Sequence, residues 1–384
     1  MAIPVDGGTG ARPMVGVLGI FFVANDKVGS QARPDVAASW IGRDKCPSHE
    51  LSANRRFYAM DAMTTRFGSP TVAGLAAVLV WGTALPVVRL CEEHVGAVIV
   101  ALALFVGGGL IGFMSNATRG VRLDRAAFRH PLLYVRWGSF VLHEVCIIAA
   151  VTLVSKAGLP LVVFLNYLWP TAVIFCSIAM AGVHVMHRQK FALGIFVVIS
   201  SLALEVLKPS SAAVGQADII AYMLAVIGAL AWGIYSAVSS RAGDATGGSS
   251  PIPLFQVTVG LILATVFSLT ESLVAQAGAS IASEQVNGCA YAILAAYCVA
   301  ETIAYFGWDY GMRRGNVVLL SLSADFIPWL SLLGTWLLVG ADISHNTMVA
   351  AVALVVGAMM VRAGTAAPKI SPPAPDAEVC SEVG

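Results

Sequence analysis

The chain has 384 residues, 58% of them hydrophobic and 12% charged, with a mean hydropathy of +0.80 and a net charge of +1. Soluble domains are about half apolar and about a quarter charged, so the deficit of charge makes this a polytopic membrane protein. The near-neutral balance excludes a basic field for nucleic acid. The 7 cysteines are scattered without a Cys-x-x-Cys, which argues against a disulfide framework or a metal site.

Residues 1–59 mix Gly, Pro, Asp and Arg without a period. Their apolar run, Met14 to Ala24, is too short to cross a bilayer. Residues 1–68 are expected to be a disordered or non-native extension, with Met60 or Met63 as the working start. From Ser69 onward the chain is a train of apolar runs of membrane-spanning length. Ten spans are predicted: Thr71–Leu90, Gly96–Asn116, Leu132–Val154, Pro160–Val183, Phe191–Val206, Ile219–Ser240, Leu254–Val274, Cys289–Gly311, Val317–Val339 and Thr347–Val361. The tail, 364–384, is Pro-rich and polar and is expected to be disordered.

Orientation follows from Lys and Arg in the short connections. One set of connections carries Arg119, Arg122, Arg125, Arg129, Arg188, Lys190, Arg241, Arg313, Arg314, Arg362 and Lys369, with Arg66 ahead of span one. The other set has Arg89, Lys156 and Lys208. The alternation puts both termini in the cytoplasm, which requires an even number of spans.

The halves of the chain echo each other. Span one contains Leu79-Val80-Trp81-Gly82 and span six Leu230-Ala231-Trp232-Gly233. Gly182 follows Pro170 at a distance of 12 residues in span four, and Gly340 follows Pro328 at the same 12 in span nine. Residues 69–207 and 208–363 therefore read as two copies of a five-span unit. An odd number of spans inverts the second copy, which is a common transporter plan.

Polar and aromatic residues concentrate in spans three, four, six, eight and nine. His143 and Glu144 lie near the middle of span three. Asn166, Tyr167, Trp169 and Pro170 occupy the outer third to the middle of span four. Pro170 has no N–H for the carbonyl of Asn166, so the helix should bend there. Trp232 lies in span six. Glu301, Tyr305, Trp308 and Asp309 follow one helical stripe of span eight. Asp325 and Pro328 sit near the middle of span nine. An intramembrane carboxyl costs about 2.5–3.5 kcal/mol on insertion scales, so Glu144, Glu301 and Asp325 should not face lipid. They are structural groups or they shape a cavity. Tryptophans usually gather at the membrane interfaces, but Trp81, Trp169 and Trp308 lie too deep for that and either pack or line a cavity. Arg136, at the start of span three, is expected to snorkel to the surface.

Catalytic signatures are missing. His143-Glu144-Val145-Cys146-Ile147 begins like a zinc-protease HExxH but lacks the second His. No Walker A loop and no Gly-x-Ser-x-Gly elbow occur. The sequence thus predicts no catalytic residue, no metal ligand and no cofactor. A membrane receptor or membrane-embedded enzyme is the remote alternative, since the outer loops leave no room for a ligand-binding ectodomain.

These pieces together resemble the drug/metabolite transporter superfamily with two EamA-type units. His143-Glu144-Val145-Cys146, Asn166-Tyr167-Leu168-Trp169-Pro170, Ala231-Trp232-Gly233-Ile234-Tyr235 and Trp308-Asp309-Tyr310-Gly311 resemble its aromatic amino-acid exporter (YddG-type) branch. The resemblance covers about residues 70–363. It implies an all-α, basket-like bundle of ten helices in a bacterial inner membrane, working by alternating access; the self-contained repeat points to a monomer, with a dimer as the alternative. Tyr167, Trp169 and Trp232 would then line a hydrophobic cavity for a small aromatic substrate; the position of His143, Tyr305, Trp308 and Trp81 in their spans adds them as candidates beside it. Asn166, Glu144, Pro170 and Pro328 would shape the helices around it, and the cost of a carboxyl in lipid adds Glu301 and Asp325 as candidates for bends or gates. A broader drug or metabolite exporter of the same fold is the nearer alternative. The branch pattern has Tyr before Glu144, Asn after Trp308 and Tyr-Phe-Thr-Pro at the span-nine proline. This chain has His143, Asp309 and Asp325-Phe326-Ile327-Pro328.

Overall fold

The structure, a computed structural model, describes residues 69–123, 125–180, 182–207, 215–242, 251–276, 288–314 and 317–366. The expectations for residues 1–68 and for the tail beyond 366 lie outside the described residues. The regular structure among the described residues is helix, apart from one short strand pair. Span one is α1 (Ser69–Gly82) and α2 (Ala84–Val95), and span two is α3 (Ala97–Thr118). Span three is α4 (Pro131–Leu153), and span four is α5 (Leu159–Asn166) followed by α6 (Trp169–Met180). Spans five to eight are α7 (Arg188–Val206), α8 (Gln216–Ala242), α9 (Ile252–Gln276) and α10 (Gly288–Arg314). Span nine is α11 (Val317–Ala324) with α12 (Ile327–Gly334), and span ten is α13 (His345–Ala363). Among the described residues 8 helices are long and apolar enough to cross a membrane, and the bent pair α1–α2 makes a ninth. Span nine falls below that test because it is broken, and its second half runs on as an apolar helix over Ile327–Val339.

The breaks have a local cause. Pro170 and Pro328 each occupy the second position of the helix they begin, α6 and α12. There the missing N–H costs little, and the helical bond back to the carbonyl four residues earlier is lost. Span four accordingly stops at Asn166 and restarts at Trp169, and span nine stops at Ala324 and restarts at Ile327. The bend expected at Asn166 is a two-residue lapse in the helix, while Leu159–Met180 still runs as one span of membrane-crossing length. The glycines paired with these prolines share a second feature. Gly182 has φ +72° and Gly340 φ +64°, a left-handed conformation that glycine adopts without a Cβ clash. The matched Pro-to-Gly spacing is thus the mark of two helices that break and end alike.

Packing repeats the same symmetry. Span one lies along span eight, as span six lies along span three. Span one also meets span nine, as span six meets span four. Spans two and seven pack together, and so do five and ten. Exchanging each span with the one five later leaves this pattern unchanged, as a two-fold relation between inverted copies requires. The fold is an all-α bundle of ten spans in a five-plus-five inverted repeat.

The lipid-facing surfaces are apolar. On α7, Phe196 is 65% exposed, while Gly194, Val198 and Ser201 turn inward. With no water in the bilayer core, the outward groups are hydrocarbon and the backbone bonds stay within each helix.

At the end bearing the basic connections, the chain after span ten is ordered for a few residues. Thr365–Ala366 pairs antiparallel with His184–Val185. Met186 and His187 both donate backbone N–H groups to the Gly364 carbonyl, at 2.9 and 3.0 Å. The first residues assigned by sequence to a disordered tail are therefore held. Their backbone groups find partners in the connection between spans four and five, a contact that no local sequence signal announces.

Candidate functional site: a buried aromatic cavity at the helix breaks

A cavity of about 80 Å³ lies where the break in span four faces spans one, three and eight. Trp81 comes from the last turn of α1, His143 and Glu144 from α4, and Trp232 from α8. Asn166, Tyr167 and Trp169 flank the gap between α5 and α6. Tyr297, Glu301 and Tyr305 descend one face of α10, four residues apart. Leu85, Val88, Ile147 and Ile148 add an apolar wall.

Aromatic rings fill one side. Trp232 is central: His143 lies 4.7 Å from it, Tyr235 5.0 Å, Trp81 5.7 Å and Trp169 6.3 Å, ring centre to ring centre. Trp81 also meets Tyr305 at 5.6 Å and Trp308 at 5.3 Å. Phe140 joins Tyr305 at 5.4 Å and Tyr235 at 5.5 Å. Tilted and edge-on pairs at these distances each contribute about 0.5–1.5 kcal/mol beyond burial. Sites for drug-sized ligands usually hold about 300–1,000 Å³. The small volume here means that these rings occupy most of the space, and an indole-sized guest requires them to move.

The polar groups are concentrated among the same residues. Tyr305 donates its hydroxyl to Glu144 Oε1 at 2.6 Å. His143 Nδ1 donates to the Gly228 carbonyl at 2.9 Å, leaving Nε2 toward Glu144 at 4.0 Å. Tyr297 donates to the Val80 carbonyl at 3.1 Å, beside the break in span one. Glu301 sits among Tyr297, Tyr305 and Trp81. Asn166 Oδ1 and Glu301 Oε2 have no hydrogen-bond partner among the described residues.

The other residues singled out from the sequence have different places. Trp308 packs on Trp81 behind the lining. Pro170 and Pro328 begin the second halves of their spans. Asp325 lies in the gap of span nine, away from the cavity. There it accepts two hydrogen bonds from Arg362, from Nη1 to Oδ2 at 3.0 Å and from Nη2 to Oδ1 at 3.1 Å. Arg136 does not snorkel: it is 2% exposed, with its guanidinium 5.7 Å from the centre of the Tyr235 ring. The aromatic face of Tyr235 contributes a cation–π attraction there. Two further residues join the site, Tyr297 in the lining and Phe140 in the ring cluster. Each stands four residues before a carboxyl, Glu301 and Glu144, so one-turn spacing is the sequence signal for them. Among the described residues no cluster of His, Cys, Asp or Glu is arranged to hold a metal ion.

The fold and site define a multi-pass helical membrane protein of the inverted-repeat plan that secondary transporters use, with an aromatic cavity at the helix breaks. The resemblance drawn from the motifs is borne out by curated relatives. The chain is 24% identical over 303 residues to the aromatic amino acid exporter YddG of Salmonella typhimurium, a match covering 76% of this chain and 95% of the relative. It is 27% identical over 301 residues to the protein of that name in Ancylobacter novellus, covering 75% and 95%. It is 24% identical over 293 residues to that of Escherichia coli K12, covering 72% and 90%. One solved crystal structure, described without a function, matches with a TM-score of 0.55 at 23% identity, over 77% of this chain and 96% of its own. That likeness supports the fold. No family model matches the chain.

Proposed function

We propose that the protein is a secondary transporter that exports aromatic or other hydrophobic amino acids, or related metabolites, by alternating access. The observation that carries this reading is the cavity lined by the aromatic rings of Trp81, Tyr167, Trp169 and Trp232 beside the breaks of spans one and four. Ring faces and edges are the complement of an aromatic side chain. Broken helices at mirrored positions are elements on which one repeat can rock against the other. The names of the relatives support the same substrate class.

Several finer points belong to this reading. The two units are residues 69–207 and 208–363. The Lys and Arg distribution supports a cytoplasmic placement of both termini in a bacterial inner membrane. The protein moves its substrate without chemically changing it, so it is not an enzyme. The self-contained repeat supports a monomer. A broader drug or metabolite exporter is the second reading, and His143 favours it, because it puts an imidazole against Trp232 where the exporter branch has a tyrosine.

Flux into proteoliposomes of radiolabelled tryptophan, phenylalanine and leucine tests the function, with and without a pH gradient. Uptake of tryptophan and phenylalanine that excess tyrosine suppresses is the expected outcome. Trp169→Ala should lower that flux at least about tenfold at equal expression, through loss of the ring contact and of the wall it forms. Its elution profile in detergent should remain that of the folded protein. Full flux in this variant would remove Trp169 from the pathway, and no flux of any of the three compounds would leave the broader reading.

A further inference from the structure

The cavity lining carries hydrogen-bond acceptors that find no partner among the described residues. Its lining holds two carboxyls, Glu144 and Glu301, and the Asn166 amide. His143 is the one basic side chain of the lining, and no Lys or Arg joins it among the described residues. Three donors of the lining are engaged, Tyr305 on Glu144, Tyr297 on the Val80 carbonyl and His143 Nδ1 on the Gly228 carbonyl, while the indoles of Trp81, Trp169 and Trp232 supply further N–H groups. Two acceptors on the lining residues remain without a partner, Asn166 Oδ1 and Glu301 Oε2. Asn166 is 6% exposed and Glu301 7%. A buried acceptor left unmade is destabilising, and more so on a carboxyl. Two on the wall of one cavity call for a guest rich in donors.

We propose that Asn166 Oδ1 and Glu301 Oε2 form an ammonium subsite, and that the cavity selects aromatic compounds by ring and ammonium without requiring a carboxylate. Aromatic primary amines are then substrates beside aromatic amino acids. An ammonium carries three donors and no acceptor, the complement of this wall. A carboxylate needs donors, best from an arginine fork, and meets two carboxyls here instead. The ring would lie against Trp169 and Trp232, on the other side of the break that presents Asn166. Transport of such amines rests on the exporter reading given above.

The test uses the whole protein in proteoliposomes, with tritiated tryptophan flux challenged by two analogues. Tryptamine keeps the ammonium and lacks the carboxylate, and indole-3-propionate does the reverse. Tryptamine should compete within about threefold of tryptophan, and indole-3-propionate should be about tenfold to a hundredfold weaker, as expected for loss of a charge-assisted hydrogen bond. Tritiated tryptamine should itself be taken up. Equal competition by both analogues, or the reverse order, overturns the subsite while tryptophan flux upholds the exporter. No flux of any indole compound overturns the exporter reading and the subsite with it. Asn166→Leu should raise the KM for tryptophan and tryptamine alike by about tenfold with little change in maximal rate, and Asn166→Asp, which keeps an acceptor, should restore it. A KM unchanged in Asn166→Leu counts against the proposal. If that variant does not fold, the ranking of analogues on the unaltered protein still decides.

Discussion

Arg362→Ala is expected to destabilise the protein by about 3 kcal/mol, the lower end of the range for breaking a buried ion pair by removing one partner. Arg362 projects from the last turn of α13 and grips both oxygens of Asp325 across the gap of span nine. The Asp325 side chain is 2% exposed, so the lone carboxylate could not recover its hydration. The Arg362 side chain is 22% exposed, which places the cost at the lower end. The double variant Asp325→Leu with Arg362→Met should regain most of the loss, because apolar replacement of both partners removes the unpaired charge. Thermal unfolding in detergent, followed by size-exclusion chromatography, measures both. A single variant within about 0.5 kcal/mol of the parent, the scatter of an ordinary surface change, would show that the pair does not hold span nine to span ten.

Gly194→Val should disrupt the packing of spans five and ten. A Cβ at Gly194 would stand 2.5 Å from the Val361 backbone nitrogen and 2.8 Å from the Gly357 carbonyl oxygen. The facing helix has the same constraint, since a Cβ at Gly357 would meet the Val198 backbone nitrogen at 2.9 Å. Small residues allow this approach in a membrane, where helices associate by close contact rather than by escape from water. The obstruction is backbone on both sides and cannot rotate away, so the cost should reach about 3 kcal/mol or more. The yield of folded, monodisperse protein should fall sharply. Gly138→Val is the control: Gly138 is exposed on α4, and a Cβ there meets nothing within 4 Å. Equal yields from the two variants would mean that spans five and ten are not in backbone contact.

The sequence by itself determined what depends on neighbouring residues and on the solvent. A bilayer admits only apolar helices of a given length, so the apolar runs marked the spans. A proline lacks a donor wherever it stands, so Pro170 and Pro328 marked the two breaks. Gly182 and Gly340 stand the same 12 residues after those prolines, and that repeated spacing marked the duplication. The aromatic and carboxyl residues of spans three, four, six and eight were visible because each is costly or unusual in lipid. Pairing was not legible. Tyr305 and Glu144 are 161 residues apart, and Asp325 and Arg362 are 37 apart. Nothing local distinguishes a carboxyl facing a cavity from one gripped by an arginine, and only the packing of spans nine and ten decided that Asp325 is the second kind. Arg136 shows the same limit: its position near a span end predicts snorkelling, yet Tyr235 from span six meets its guanidinium inside the bundle. Whether a polar side chain is solvated, paired or left to a ligand depends on atoms from other helices, and the tertiary structure alone brings those atoms within reach.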